Sequence, residues 1–199
     1  MKALFLDFDG VITTHRTRYR IDLARVSRVM DIINATGAKI VVTSSWKHGH
    51  VDVDSFKKEL LECDSMFIPD ELKGNPLWKR FIDSIVDITD TAGSLRGDDI
   101  KKYIDDNDVE EYCILDDDSD MLEEQLFHFV QTDVVFGISD RDAELCVEIL
   151  NGIEVVTPTR MNQVLTTMWR NHCRGEKNGI YDMLYKYKAQ FMKVTENIV

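Results

Sequence analysis

Short apolar runs alternate with amphipathic stretches along most of this chain. The runs KALFLDF (2–8), AKIVVTSS (38–45), SIVDITD (84–90), EYCILDDD (111–118) and the weaker FHFVQTD (127–133) predict five strands. Near-continuous apolar character in the first of them suits a parallel strand covered on both faces. Between the first two runs, Leu23, Val26, Val29, Met30 and Ile33 recur at helical spacing, with Asp22 placed to cap the helix and Gly37 to end it. Asp54–Cys63, Pro76–Ile82, RGDDIKKYIDDN (96–107) and Ser139–Leu150 predict further helices. Strands joined by helical crossovers give an α/β fold, a doubly wound, mainly parallel five-stranded sheet. After Gly152 the pattern changes. Residues 153–199 are rich in Met, Tyr, Trp and Lys and read as a helical extension that packs on the 1–152 core or forms an interface.

Composition narrows the setting. At 199 residues and 44% hydrophobic content the chain is long enough for one domain with a sizeable core. No segment approaches the roughly 18 apolar residues of a membrane span, and Asp7 interrupts the N-terminal apolar run, so neither a span nor a secretory signal is expected and the cytoplasm is the default location. Cys63, Cys113, Cys146 and Cys173 lie far apart without a CxxC pair, as reduced structural thiols do. A net charge of -12 argues against bulk nucleic-acid binding, but the charge is uneven. Thr14 to Arg28 holds five Arg against one Asp, and Arg160 to Lys193 holds seven basic residues against two acids.

The candidate chemistry sits where strands end, and ligands of open α/β sheets bind beyond the carboxyl ends of the strands. The first strand ends in Asp7 and Asp9, the second in Thr43, Ser44 and Ser45, and the fourth in Asp116, Asp117 and Asp118 with Asp120 close behind; Arg96 precedes the fourth. Partly buried carboxylates brought together cost several kcal/mol unless a cation neutralises them. Oxygen-only ligands favour a hard divalent ion, and Mg²⁺ pairs one or two carboxylates with a substrate phosphate. The expected ion among these acids is therefore Mg²⁺, with Arg96 helping to balance the charge of a phosphoryl group, Thr43 donating a hydrogen bond to it and a carboxylate placed to attack in line.

DFDGV after an apolar strand, a hydroxyl after KIVV, an upstream cation and ILDD resemble the four motifs of haloacid dehalogenase (HAD) superfamily phosphatases, over about residues 1–152. VVTSSW, RGDDIKKYI, YCILDDDSDM, FVQTD and GIS are similar to the small HAD domain of Swiss Army Knife RNA-repair proteins. The resemblance implies a phosphomonoesterase in which Asp7 is the nucleophile and forms an aspartyl-phosphate. Asp9 is the general acid/base, and the implied Mg²⁺ ligands are Asp7, Asp9 through its backbone carbonyl, Asp116 and Asp117. Thr43 holds a phosphoryl oxygen, with Ser44 or Ser45 as substitutes if the strand ends later. Arg96 is the motif cation, with Lys101 as fallback, and Asp120 supports the metal acids Asp116 and Asp117.

Residues 10–42 and 47–95 are largely consumed by helices and a strand, so little or no cap is expected and the site is open. An open site suits large or terminal phosphates, such as a nucleic-acid end, a nucleotide or a phosphoprotein, and a nucleotide or polynucleotide-end phosphate is the expected substrate. The flap THRTRYR places Arg16, Arg18 and Arg20 to meet further phosphates and Tyr19 to stack on a base. Its bland alternative is a solvated hairpin. Trp46 reads as a packing residue and His48 and His50 as loop residues; an EF-hand starting at Asp116 fails, with Met121 at the glycine position and Phe127 at the final glutamate position. A competing class is a phosphoaspartate receiver or phosphate-binding module. In a receiver, though, the acceptor comes from a middle strand, whereas the DxD here comes first.

Overall fold

The computed structural model of the chain describes residues 1–62, 66–91, 93, 95–153, 164–166, 168 and 173. Five strands form one sheet: β1 (Lys2–Leu6), β2 (Lys39–Val42), β3 (Ile85–Ile88), β4 (Glu111–Asp116) and β5 (Phe129–Gln131), all parallel, in the order β3-β2-β1-β4-β5. The helices are α1 (Leu23–Thr36), α2 (Val53–Glu62), α3 (Pro76–Ser84), α4 (Arg96–Asp106) and α5 (Asp140–Leu150). The fold class read from the sequence is the one observed. Strands end earlier than the apolar runs suggested: the polar tails of those runs leave the ladder and form the loops of the site.

Local chemistry sets the helix ends. Asp22 caps α1 by accepting from the Ala24 amide, and Gly37 closes it in the left-handed region at φ 71°. Asn75 caps α3 ahead of Pro76, whose missing N–H costs nothing in the first turn. Ser139 and Asp142 exchange hydrogen bonds at the start of α5 as a capping box.

Alternation along β1 divides the core into two layers. Leu4 and Leu6 face a cluster built from α1, α2, α3 and α5 with Val26, Ile32, Phe56, Phe81 and Cys146, whereas Ala3 and Phe5 face Ile100 and Tyr103 of α4 together with Val164 and Met168. Segment 47–84 places Phe56, Leu60, Trp78 and Phe81 in the first cluster, while Val51, Leu61, Met66 and Phe67 remain exposed. The bulk of the extension read over 153–199, with its Tyr185, Tyr187, Phe191 and Met192 group, lies outside the described residues. Among those described, no helix is long and apolar enough to cross a membrane.

The topology points to one place. From β1 the chain steps outward to β2 and β3, then returns across β1 to β4. The crossovers before and after that return diverge, opening a crevice at the carboxyl ends of β1 and β4.

Candidate functional site

Register lines up the acids. Leu6 pairs with Val42 on one side and Leu115 on the other, the Asp7 amide donates to the Leu115 carbonyl at 3.0 Å, and the Thr43 amide donates to the Leu6 carbonyl at 3.0 Å. Asp7, Thr43 and Asp116 are thus brought together at three adjacent strand ends. Asp7 is 3% exposed, Thr43 3% and Asp116 fully buried. One oxygen each from Asp7, Asp116 and Asp117 lies within 4.8 Å of the others.

The loop after β1 is tightly wound. The amides of Val11, Ile12 and Thr13 all donate to the Phe8 carbonyl, at 2.9 to 3.2 Å. Gly10 sits at φ +71°, and a Cβ there would stand 2.2 Å from Asp117 Cγ, so only glycine lets Asp117 lean over this turn. The Thr132 hydroxyl holds the Gly10 carbonyl at 2.7 Å.

Arg96 enters from the first turn of α4. Asp120 fixes that turn, accepting from the Arg96 amide at 3.0 Å through its carboxylate and from the Gly97 amide at 3.2 Å through its carbonyl. Asp120 therefore supports the cation rather than the metal acids. Nη1 of Arg96 lies 2.9 Å from Asp7 Oδ1 and 2.8 Å from Asp116 Oδ2. Nη1 is shared by the two acids as an ion pair, and no other chain atom completes the hydrogen bonding of Nη1, of those two carboxylate oxygens or of the Thr43 hydroxyl. Native interiors seldom leave such atoms unsatisfied. Four of them at one switch point mark a place shaped for something more than the chain itself.

Electrostatics agree. Burial pushes the Asp7 carboxyl up, against the opposing pull of Arg96. Burial and then the charge of Asp7 push Asp116 well above the carboxylate range, and the same two causes carry Asp117 to about 6. Burial works against the Arg96 charge, but Asp116 and Asp7 outweigh it and hold the guanidinium above its ordinary range. One arginine is not enough positive charge for three converging acids. An oxygen-only, three-carboxylate donor set with orphaned atoms fits a hard divalent cation.

The remaining expected residues take varied places. The Asp9 carboxylate accepts from the Thr13 hydroxyl at 2.7 Å and from the Trp46 indole N–H at 3.1 Å. Ser44 is buried and caps the 3₁₀ turn Ser45–Lys47. Lys101 is exposed and pairs with Asp105 and Glu124, away from the acids. In the flap, Arg16 lies over the Phe136 ring at 4.5 Å, Tyr19 bonds His15 at 2.6 Å, and Arg18 and Arg20 are exposed with no ion pair among the described residues. Arg18 and Tyr19 hold φ values of 53° and 59°, a strained turn for side chains of their size. His50 pairs with Glu59. Sequence reasoning missed Thr13, Trp46 and Phe136 as partners: Thr13 reaches Asp9, four residues away, only because the loop after β1 winds on the Phe8 carbonyl, and nothing local marks which distant residue Trp46 and Phe136 meet.

Searches of curated proteins and of solved structures give no significant match. The model of one family, described as the HAD domain in Swiss Army Knife RNA repair proteins, matches residues 3–143. That span begins within β1 and reaches the first turn of α5, taking in every strand end that builds the acid cluster. The chain belongs to the family of HAD domains found in Swiss Army Knife RNA repair proteins.

Proposed function

We propose that this chain is a Mg²⁺-dependent phosphomonoesterase that works through an aspartyl-phosphate on Asp7. The observation that carries the reading is the convergence of Asp7, Asp116 and Asp117 on one point between β1 and β4, beside the buried Thr43 hydroxyl, which has no hydrogen-bond partner, and the Arg96 guanidinium. The side chains of Asp7, Asp116 and Asp117 and the Asp9 carbonyl would hold the ion. When bound, it supplies charge neutralisation for the acids and for the phosphoryl oxygens.

The chain's own residues then divide the work. A free Asp7 oxygen attacks phosphorus in line with the leaving oxygen; the Asp7–phosphorus bond forms as the ester bond breaks. Asp9 gives its proton to the leaving oxygen. In the second half Asp9 takes a proton from water as that water attacks phosphorus, releasing phosphate and restoring both carboxyl groups. The Thr43 hydroxyl, with no partner of its own, donates to a phosphoryl oxygen, and the Arg96 guanidinium balances the charge that develops. Ser44 is the reserve hydroxyl.

A nucleotide or polynucleotide-end phosphate is the proposed substrate class. Its support is the flap, where Arg16, Arg18, Arg20 and Tyr19 stand exposed beside an uncapped site, together with membership of a family described by RNA repair. A receiver domain is disfavoured by topology: its doubly wound order is 2-1-3-4-5, whereas this sheet runs β3-β2-β1-β4-β5. Sustained release of p-nitrophenol from p-nitrophenyl phosphate with Mg²⁺, lost in Asp7→Asn, tests the enzyme reading. Faster turnover of 3′- or 5′-phosphorylated oligonucleotides than of sugar phosphates, weakening as salt rises, tests the substrate class.

A further inference from the structure

Trp46 is more than a packing residue. Its ring lies 5.4 Å from Phe8 and 5.9 Å from Phe67, centroid to centroid, and its N–H points at Asp9 Oδ2 at 3.1 Å. The turn that carries it is held on both sides. Ser44 caps the turn from one side, and on the other the buried Lys47 ammonium bonds Thr89 Oγ1 at 2.6 Å and Asp99 Oδ2 at 2.9 Å. The half-buried ring packs on buried Phe8 and exposed Phe67, and its turn is pinned at the next residue, so the indole N–H is offered to Asp9 from a held position.

The second donor to Asp9 differs in kind. An indole N–H only donates, whereas a hydroxyl both donates and accepts. Trp46 therefore addresses Oδ2 as an acceptor at every stage, while Thr13, bonded to Oδ1 at 2.7 Å, can adjust by rotating its hydroxyl. One oxygen of Asp9 is fixed and the other is left with an adaptable neighbour.

We infer that Trp46 is a positioning residue, holding the Asp9 carboxyl so that one chosen oxygen faces the leaving group of a phosphoester. This inference rests on the phosphomonoesterase reading and on Asp9 as its acid. Because Trp46 acts through Asp9, its contribution scales with how much the leaving oxygen needs a proton. An alkoxide leaving group, such as a ribose hydroxyl, needs one; p-nitrophenolate hardly does.

The test compares kcat/KM for an alkyl phosphate (a 3′-phosphorylated dinucleotide) and an aryl phosphate (p-nitrophenyl phosphate) in wild type, Trp46→Phe and Asp7→Asn. A variant carrying benzothienylalanine at position 46, the same bicyclic shape with sulfur in place of the N–H, decides the matter if Trp46→Phe does not fold. The expected result is a loss of about tenfold to hundredfold on the alkyl ester, the order of one hydrogen bond to a carboxylate. The aryl ester changes less than about threefold, and the alkyl-ester KM stays near that of wild type. Equal losses on both esters, or none on either, overturn the inference and leave the enzyme reading standing. Retention of wild-type activity by Asp7→Asn overturns the aspartyl-phosphate on Asp7, and no turnover of either ester by wild type overturns the enzyme reading itself.

Discussion

Helix α4 carries the buried Asp99 and, one turn before it, the partly buried Arg96, and the two are built into opposite kinds of charge cluster. Asp99 meets Lys47 at 2.9 Å, Lys47 also bonds Thr89, and the contacts are proper hydrogen bonds between groups of matched charge. Arg96 instead presents one nitrogen to both Asp7 and Asp116, with a third acid, Asp117, beside them. The first arrangement closes on itself, as a structural ion pair does. The second leaves negative charge in excess, three carboxylates against one guanidinium. What separates structure from function here is the degree to which buried polar atoms are satisfied by the chain, since both clusters lie deep and both are ionic.

Breaking each cluster should give opposite results. The largest effect is on turnover: Asp7→Asn is expected to abolish phosphate release, by about a thousandfold or more as expected for a covalent nucleophile. The metal-free protein should melt no lower than wild type, because a buried, repelling carboxylate has been removed. Next comes Asp99→Ala, which leaves the Lys47 ammonium buried without its counter-charge. It should destabilise by about 3–5 kcal/mol in urea denaturation. Asp116→Asn should not show such a loss. A melting temperature that falls as far for Asp116→Asn as for Asp99→Ala would erase the contrast.

Smaller effects sharpen it. Mg²⁺ should raise the melting temperature of wild type but not of Asp116→Asn, with about 2.7 kcal/mol gained at a hundred times Kd. The pH dependence is the finest probe. Asp117 is raised to about 6 by burial and by the charge of Asp7, from an ordinary 3.8. An acid raised on folding stabilises the fold when protonated, so that contribution is full below 3.8 and is lost as pH rises to about 6. In the absence of divalent ions, the stability of Asp117→Asn relative to wild type should therefore grow across that window and level off above it. A constant difference would mean that Asp117 is not held near Asp7 in solution.

Much of this was legible in the chain because it is local. Apolar runs bounded by polar tails marked all five strands, and Asp22, Gly37 and Ser139 marked helix ends by rules that act within a few residues. The site acids were legible for a related reason: they follow directly on those strands, and a parallel sheet brings the carboxyl ends of its strands to one edge. The strand limits were read too long, since nothing in VVTSS or LDDD says where the ladder stops, and register with the neighbouring strand decides it. The pairings across the site were not legible. Trp46 stands 37 residues from Asp9 and Lys47 stands 52 from Asp99, and each meeting depends on how a 3₁₀ turn is placed by the packed fold. Phe136 under Arg16 likewise depends on the loop after β5 folding back against the flap.

The central claim is that the unsatisfied acids gather a phosphoryl group onto Asp7. The most direct measurement is a rapid-quench reaction with Mg²⁺ and a phosphomonoester, followed by reduction of any acyl phosphate and peptide mapping. The account predicts a single modified residue, Asp7, appearing before free phosphate and absent from Asp7→Asn. Steady phosphate release with no acyl-phosphate at Asp7 at any time point, or a label on another residue, would contradict it.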